Sequence, residues 1–217
     1  TNDAITLDDA SNAFSGTVTF STDSGSAVTV VDTTALDLLA LSAASLSVTA
    51  GGAITDSGTL AVSGATTLIA SGQDITLDEA ASTFGTLSLI GANVAVTEND
   101  ATDLGASTVG GTFGITSGGA ITDSGTQAIT GAATFTNTAG TNDAITLDDL
   151  SNAFSGTVTF STDSGSAVTV VDTTALDLLA LTAASLSVTS GGAVTDSGTL
   201  AITGATTISA SGQDITL

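Results

Sequence analysis

Not one lysine, arginine or histidine occurs in the 217 residues, against 22 acids, so the formal net charge is −22. A surface of that sign repels nucleic acid and anionic lipid and favours cations. The same absence removes histidine as a general acid or base. It also removes the cations that bind acidic polysaccharides and steady a developing anion. There is no cysteine, hence no disulfide framework and no thiolate metal site. Tryptophan and tyrosine, the usual platforms for sugars, are missing too. No apolar run approaches the roughly 18 residues that suggest a membrane span. The chain starts at Thr1 with neither Met nor a basic leader, so any targeting signal is expected outside it.

What is present is aliphatic. Hydrophobic residues make up 41% of the chain, enough for a continuous core, which argues against wholesale disorder. Ile-Thr-Leu recurs at Ile5, Ile75, Ile145 and Ile215, a spacing of 70 residues each time. The chain therefore reads as three copies of one unit, 5–74, 75–144 and 145–214, within a single solenoid over 1–217 that is cut from something longer.

Inside a copy, apolar residues alternate at period two. Examples are Val18/Phe20, Val28/Val30, Leu36/Leu38, Leu46/Val48 and Leu60/Val62. That spacing puts them on one face of a strand, with Thr, Ser, Ala and Asp on the other. Asp-Ser-Gly, Gly-Gly and Ser-Gly break the strands. No window sustains a helical stripe. About nine strand segments per copy suggest three triangular rungs of about 23 residues, about nine rungs in all. At about 4.8 Å per rung, equivalent residues would lie about 14 Å apart along the axis. The expected fold is an all-β, right-handed parallel β-helix.

Comparing the copies tells which way side chains point. Copies one and three differ at eight of 70 positions. Ile54/Val194, Val62/Ile202 and Leu68/Ile208 conserve volume, as a packed core requires. Ser42/Thr182, Ser63/Thr203 and Ala50/Ser190 read as solvent-facing, Ile69/Ser209 as outward, and Ala10/Leu150 as uncrowded. Phe14, Phe84 and Phe154 recur in register and are expected to fill a core corner.

The segments at 51–67, 93–107 and 118–134 (GGAITDSGTLAVSGATT, NVAVTENDATDLGAS and GGAITDSGTQAITGAAT) resemble the repeats of filamentous haemagglutinin-like exoproteins. These are giant surface adhesins of Gram-negative bacteria, often exported by a two-partner system. The resemblance implies a right-handed β-helical shaft, with secretion or binding domains elsewhere. The lack of basic residues departs from many members.

Candidate chemistry is thin. Asp8/Asp9, Asp78/Glu79 and Asp148/Asp149 pair carboxylates, but adjacent strand-end residues point apart, which suits neither acid–base geometry of glycoside cleavage. They read as solvated acids at turns, with weak calcium binding as the lesser reading. Thr-Asp-Ser-Gly-Thr at 55–59, 122–126 and 195–199 offers a serine without a base to activate it. Here the aspartate should cap backbone amides and the glycine should take φ > 0. Thr17/Thr19 and Thr157/Thr159 are outward pairs of the kind found on ice-binding faces. No catalytic, cofactor or metal residue is assigned. The expectation is a non-enzymatic, secreted or cell-surface spacer or fibre subunit without a cofactor. Its partners would be copies of itself, end to end or in bundles, and a host or neighbouring-cell surface reached through other regions. Neither nucleic acid nor membrane insertion is expected. The alternative is a calcium-binding or ice-binding solenoid.

Overall fold

A computed structural model of the chain describes residues 3–23, 25–138 and 142–217. Every regular element among them is a strand, and every pairing is parallel. Two ladders of eleven strands run the length of the molecule. The first leads from Ile5–Leu7 to Thr206–Ser209, the second from Thr17–Val18 to Ile215–Thr216. Each circuit adds one strand to each ladder. The fold is a β-solenoid of about ten turns, each of about 20 residues.

The turns are shorter than the sequence suggested, and the reason is informative. The strand at Ile5 lies in the first ladder, the one at Ile75 in the second, Ile145 in the first again and Ile215 in the second. Seven turns separate Ile5 from Ile145, so one 70-residue repeat makes three and a half turns, not three. The middle copy is thus rotated by half a turn against its neighbours. Both ladders ask the same of a strand: parallel hydrogen bonds and alternate residues inward. One sequence can therefore serve on either side. Equivalent residues lie about 17 Å apart along the axis rather than 14 Å, on opposite sides.

A third, short side completes each turn. Leu41–Ala43 pairs with residues 60–62, which pair with residues 83–84. Ser107–Val109 pairs with Gln127–Ile129, and Leu181–Ala183 with Leu200–Ile202. The short side follows the second ladder at Leu41–Ala43, residues 60–62 and 83–84, Leu181–Ala183 and Leu200–Ile202, and the first ladder at Ser107–Val109, Gln127–Ile129 and Ala153–Phe154.

The interior is a set of aliphatic columns one strand spacing apart. Leu36, Ile54, Ile75, Val94 and Phe113 stack in sequence along the second ladder, all buried. Leu46 and Val62 are buried as expected, and Val18 is half-buried near the first turn. Phe84 and Phe154 fill the core, while Phe14 is half-buried. Phe135 packs with Phe113, Phe154 and Phe160 at centroid distances of 5.8, 5.9 and 5.7 Å. Leu150 is 80% exposed, which confirms an uncrowded site.

Two expectations about direction fail. Ala50 and Ser190 point inward and are buried. The Ser190 hydroxyl donates to the Thr174 carbonyl at 2.7 Å, which satisfies it in the interior. A small residue at a turn entry looks like a surface residue because either environment tolerates it. The second failure concerns the Asp-Ser-Gly-Thr glycines. Among the described residues positive φ occurs at Gly72 and Gly212 but not at Gly58, Gly125 or Gly198. What excludes a side chain there is the neighbouring turn: a Cβ on Gly58 would lie 2.6 Å from the Ala40 nitrogen. Stacked turns, not dihedral freedom, demand glycine.

Candidate functional site

Three sets of acids recur by position in the repeat, apart from the paired acids. The first caps the corner beside each recurrent phenylalanine. Asp32 Oδ1 accepts the Phe14 amide at 3.2 Å, Glu98 Oε2 the Phe84 amide at 3.1 Å and Asp172 Oδ1 the Phe154 amide at 3.1 Å. Asp32 and Asp172 also accept the amides of Thr34 and Thr174, each at 3.1 Å. All three acids are buried, with 2–3% of their surface exposed. They contradict the picture of acids confined to solvent. The physical reason is local: the bend before each phenylalanine leaves an amide without a ladder partner, and a carboxylate from the next turn supplies one.

The second kind is the aspartate of Thr-Asp-Ser-Gly-Thr. Asp56 Oδ1 accepts the Asp78 amide at 2.9 Å, and Asp123 Oδ1 the Asp148 amide at 2.8 Å. The aspartate caps amides, as expected, but those of the following turn. The two corners differ in one respect. Asn152 Nδ2 donates to Asp123 Oδ2 at 2.6 Å. In the equivalent place stands Ser82, whose hydroxyl is taken up by the Leu60 amide at 3.0 Å, and Asp56 Oδ2 is buried without a partner.

The third kind is exposed or half-exposed and ties turns together. Ser57 Oγ donates to Asp37 at 2.7 Å, Ser124 to Asp103 at 2.9 Å and Ser197 to Asp177 at 2.8 Å. Thr55, Thr86 and Thr195 donate to the same carboxylates at 3.3, 2.9 and 3.2 Å. The motif serine therefore clips one turn to its neighbour in every copy. Sequence reasoning missed these partners because they lie about 20 residues away.

With no base in the chain, a buried carboxylate has no ion pair to offset its desolvation. Burial pushes Glu98 up to about 8, against smaller lowering by the Thr102 hydroxyl and the Phe84 amide, with neighbouring Asp100 raising it further. Burial likewise pushes Asp56 up to about 6, opposed by the Asp78 amide. Asp123 and Asp172 are raised for the same reason, the former held back first by the Asn152 amide.

The paired acids sit at turns, as expected. The amides of Asn12, Ser82 and Asn152 bond back to the carbonyls of Asp9, Glu79 and Asp149, the same turn three times. No three acids come together in a way that could hold a metal ion among the described residues. The concavities are open surface grooves. One of about 350 Å³ passes Gly156, Asp177 and Thr195, and its counterpart of about 290 Å³ passes Gly16, Asp37 and Thr55. They repeat because the sequence repeats.

Outward positions form columns of hydroxyls. Thr29, Ser47, Thr67 and Ser88 align on the first ladder. Thr97, Thr116, Thr136 and Ser161 align on the second. Of the pairs Thr17/Thr19 and Thr157/Thr159, Thr17 and Thr157 stand instead beside Asp37 and Asp177, and Thr159 beside Thr134.

No curated protein and no solved structure matches the chain. A profile of repeats of unknown function (DUF5649) matches residues 25–90, 91–161 and 165–217, in a different phase from the Ile-Thr-Leu frame. Those three matches take in most of the sequence, and the chain belongs to that family of repeats.

Proposed function

We propose that the chain is a segment of a non-catalytic shaft, a stiff spacer or fibre subunit in a secreted or cell-surface adhesin of the filamentous haemagglutinin-like kind. The observation that carries this reading is the pair of uninterrupted eleven-strand ladders around one aliphatic core. Each repeat adds length and the same internal ties, and the grooves that recur with it are open. The resemblance of residues 51–67, 93–107 and 118–134 to such adhesins supplies the biological setting. Contour length tests the reading. Chains extended by whole 70-residue units should lengthen by about 17 Å per unit in X-ray scattering or atomic-force images. A radius of gyration that grows only as for a compact globule would defeat it.

A second reading has one observation behind it, the outward hydroxyl columns at strand spacing on the two ladders. They are more regular than the sequence pairs suggested and suit an ice-binding surface. Inhibition of ice recrystallisation by the intact chain is the measurement, and inactivity removes the reading.

A further inference from the structure

The half-turn between copies has a consequence for charge. On the first ladder, the strands at 27–32, 45–50, 65–69 and 86–90 present three outward columns, beginning at Ala27, Thr29 and Val31. All twelve positions are Ala, Ser, Thr, Val or Ile. Acids begin at the border: Asp8 follows the strand above, and Asp103 on the strand below receives the Thr86 hydroxyl. On the second ladder the eight outward positions from Ala95 to Ser161 are again without charge. They lie between Asp78 above and Asp177 below. A third neutral patch, from Thr169 and Val171 to Thr207 and Ser209, returns on the first ladder. The outward acids Asp37, Asp103 and Asp177 fall on the side facing away from each copy's patch. Every repeat thus has a broad side that is uncharged beyond the acid closing its first strand, and an opposite side with an outward acid, dealt alternately to the two ladders.

We propose that the two neutral patches of the first ladder are where a second copy of this chain docks side by side. The inference rests on the shaft reading and says how shafts would bundle. Two chains of net charge −22 can approach closely only on uncharged ground. The patch is partly apolar, with Ile90 37% exposed beside Ile69, and Val31 at the other end of the same column. Four strands by three columns cover about 400 Å², so one patch pair buries about 800 Å², less than the roughly 1,200 Å² of a stable interface. The two first-ladder patches repeat after seven turns, about 34 Å apart. The second patch has three strands, so engaging both raises the total to about 1,400 Å² and makes the second contact intramolecular. Sheets packed about 10 Å apart would bring the acids of the stretch between them close to their counterparts, a repulsion screened over roughly 8 Å at physiological salt but over roughly 30 Å at 0.01 M. The second-ladder patch, on the opposite side, stays free for another copy, so growth is into layers.

Sedimentation equilibrium of the 217-residue chain tests the proposal. Reversible association is expected at about 0.15 M salt, weakening at about 0.01 M. Thr49→Asp combined with Thr189→Asp buries two unpaired carboxylates at the contact and should weaken association at least about tenfold. Ser42→Asp combined with Thr182→Asp adds the same charge at exposed positions on the short side and should leave association unchanged. Thermal melts establish that the variants fold. A chain that stays monomeric at all concentrations and salts overturns the proposal. Association indifferent to the Thr49/Thr189 changes overturns it too, since joining is then end to end. A monomer that inhibits ice recrystallisation through these threonines gives the face to ice instead. Isolated rods of the expected length would sink this inference and leave the shaft reading standing.

Discussion

Glu98 offers the sharpest test of how an acidic solenoid tolerates buried carboxyls. Its side chain is 3% exposed and pushed up to about 8 from 4.5, chiefly by burial. The native state therefore holds a proton that the unfolded chain releases between about pH 4.5 and 8. Stability is fully present below the unfolded value and is lost as pH rises through the folded one. From those two values, the loss relative to acid is roughly 1 kcal/mol at pH 5, 3 at pH 7 and 4–5 at pH 8.5. Glu98→Gln keeps an oxygen for the Phe84 amide and cannot ionise. The repulsion among the other 21 acids is common to both proteins and cancels. Urea denaturation of wild type and variant across pH 5 to 8.5 measures the difference. The variant should gain roughly 4 kcal/mol on wild type over that range. A constant difference, or a wild type that gains with pH, would refute the account of Glu98 as a proton-holding corner.

Other consequences are more local. Ser82→Asn should bring the Asp56 carboxyl below its value of about 6 by giving Oδ2 the partner that Asn152 gives Asp123; carbon-13 titration reads it, and an unmoved midpoint contradicts the comparison of corners. Gly58→Ala should destabilise by about 2 kcal/mol or more because its Cβ meets backbone, whereas Gly16→Ala, with nothing within 4 Å, should be neutral or stabilising by up to about 1 kcal/mol. Equal melting temperatures for the two would contradict stacking as the cause. Phe135→Ala, at the centre of four rings, should cost about 4 kcal/mol in denaturant unfolding, and a loss under about 1 kcal/mol would show that the cluster carries little.

Strand character and side-chain direction were legible wherever a large aliphatic residue marked them. Val28, Leu46, Ile54 and Val62 alternate with Thr and Ser, and all four are buried. Small residues carry no such mark, which is why Ala50 and Ser190 misled. The half-turn was invisible for a different reason: period-two alternation says which face a residue is on but does not count turns. The glycine corners were legible in place but not in cause, because a close approach from the next turn leaves no trace in local sequence. The buried acids were hidden by the general rule that carboxylates stay wet. A signal did exist. Asp32 and Asp172 occupy one place in the repeat, and the diverged middle copy keeps an acid there, Glu98, where drift to any polar residue would suit a solvated turn. Their partners Phe14, Phe84 and Phe154 recur in the same register.

The odd number of half-turns in each unit means that copy number has parity. Gaining or losing a single unit in the gene would swing everything beyond it to the far side of the solenoid. Gaining or losing two would only move it outward or inward along the same line. On the proposed shaft reading, lineages under selection to keep a distal tip aimed should therefore change length in pairs.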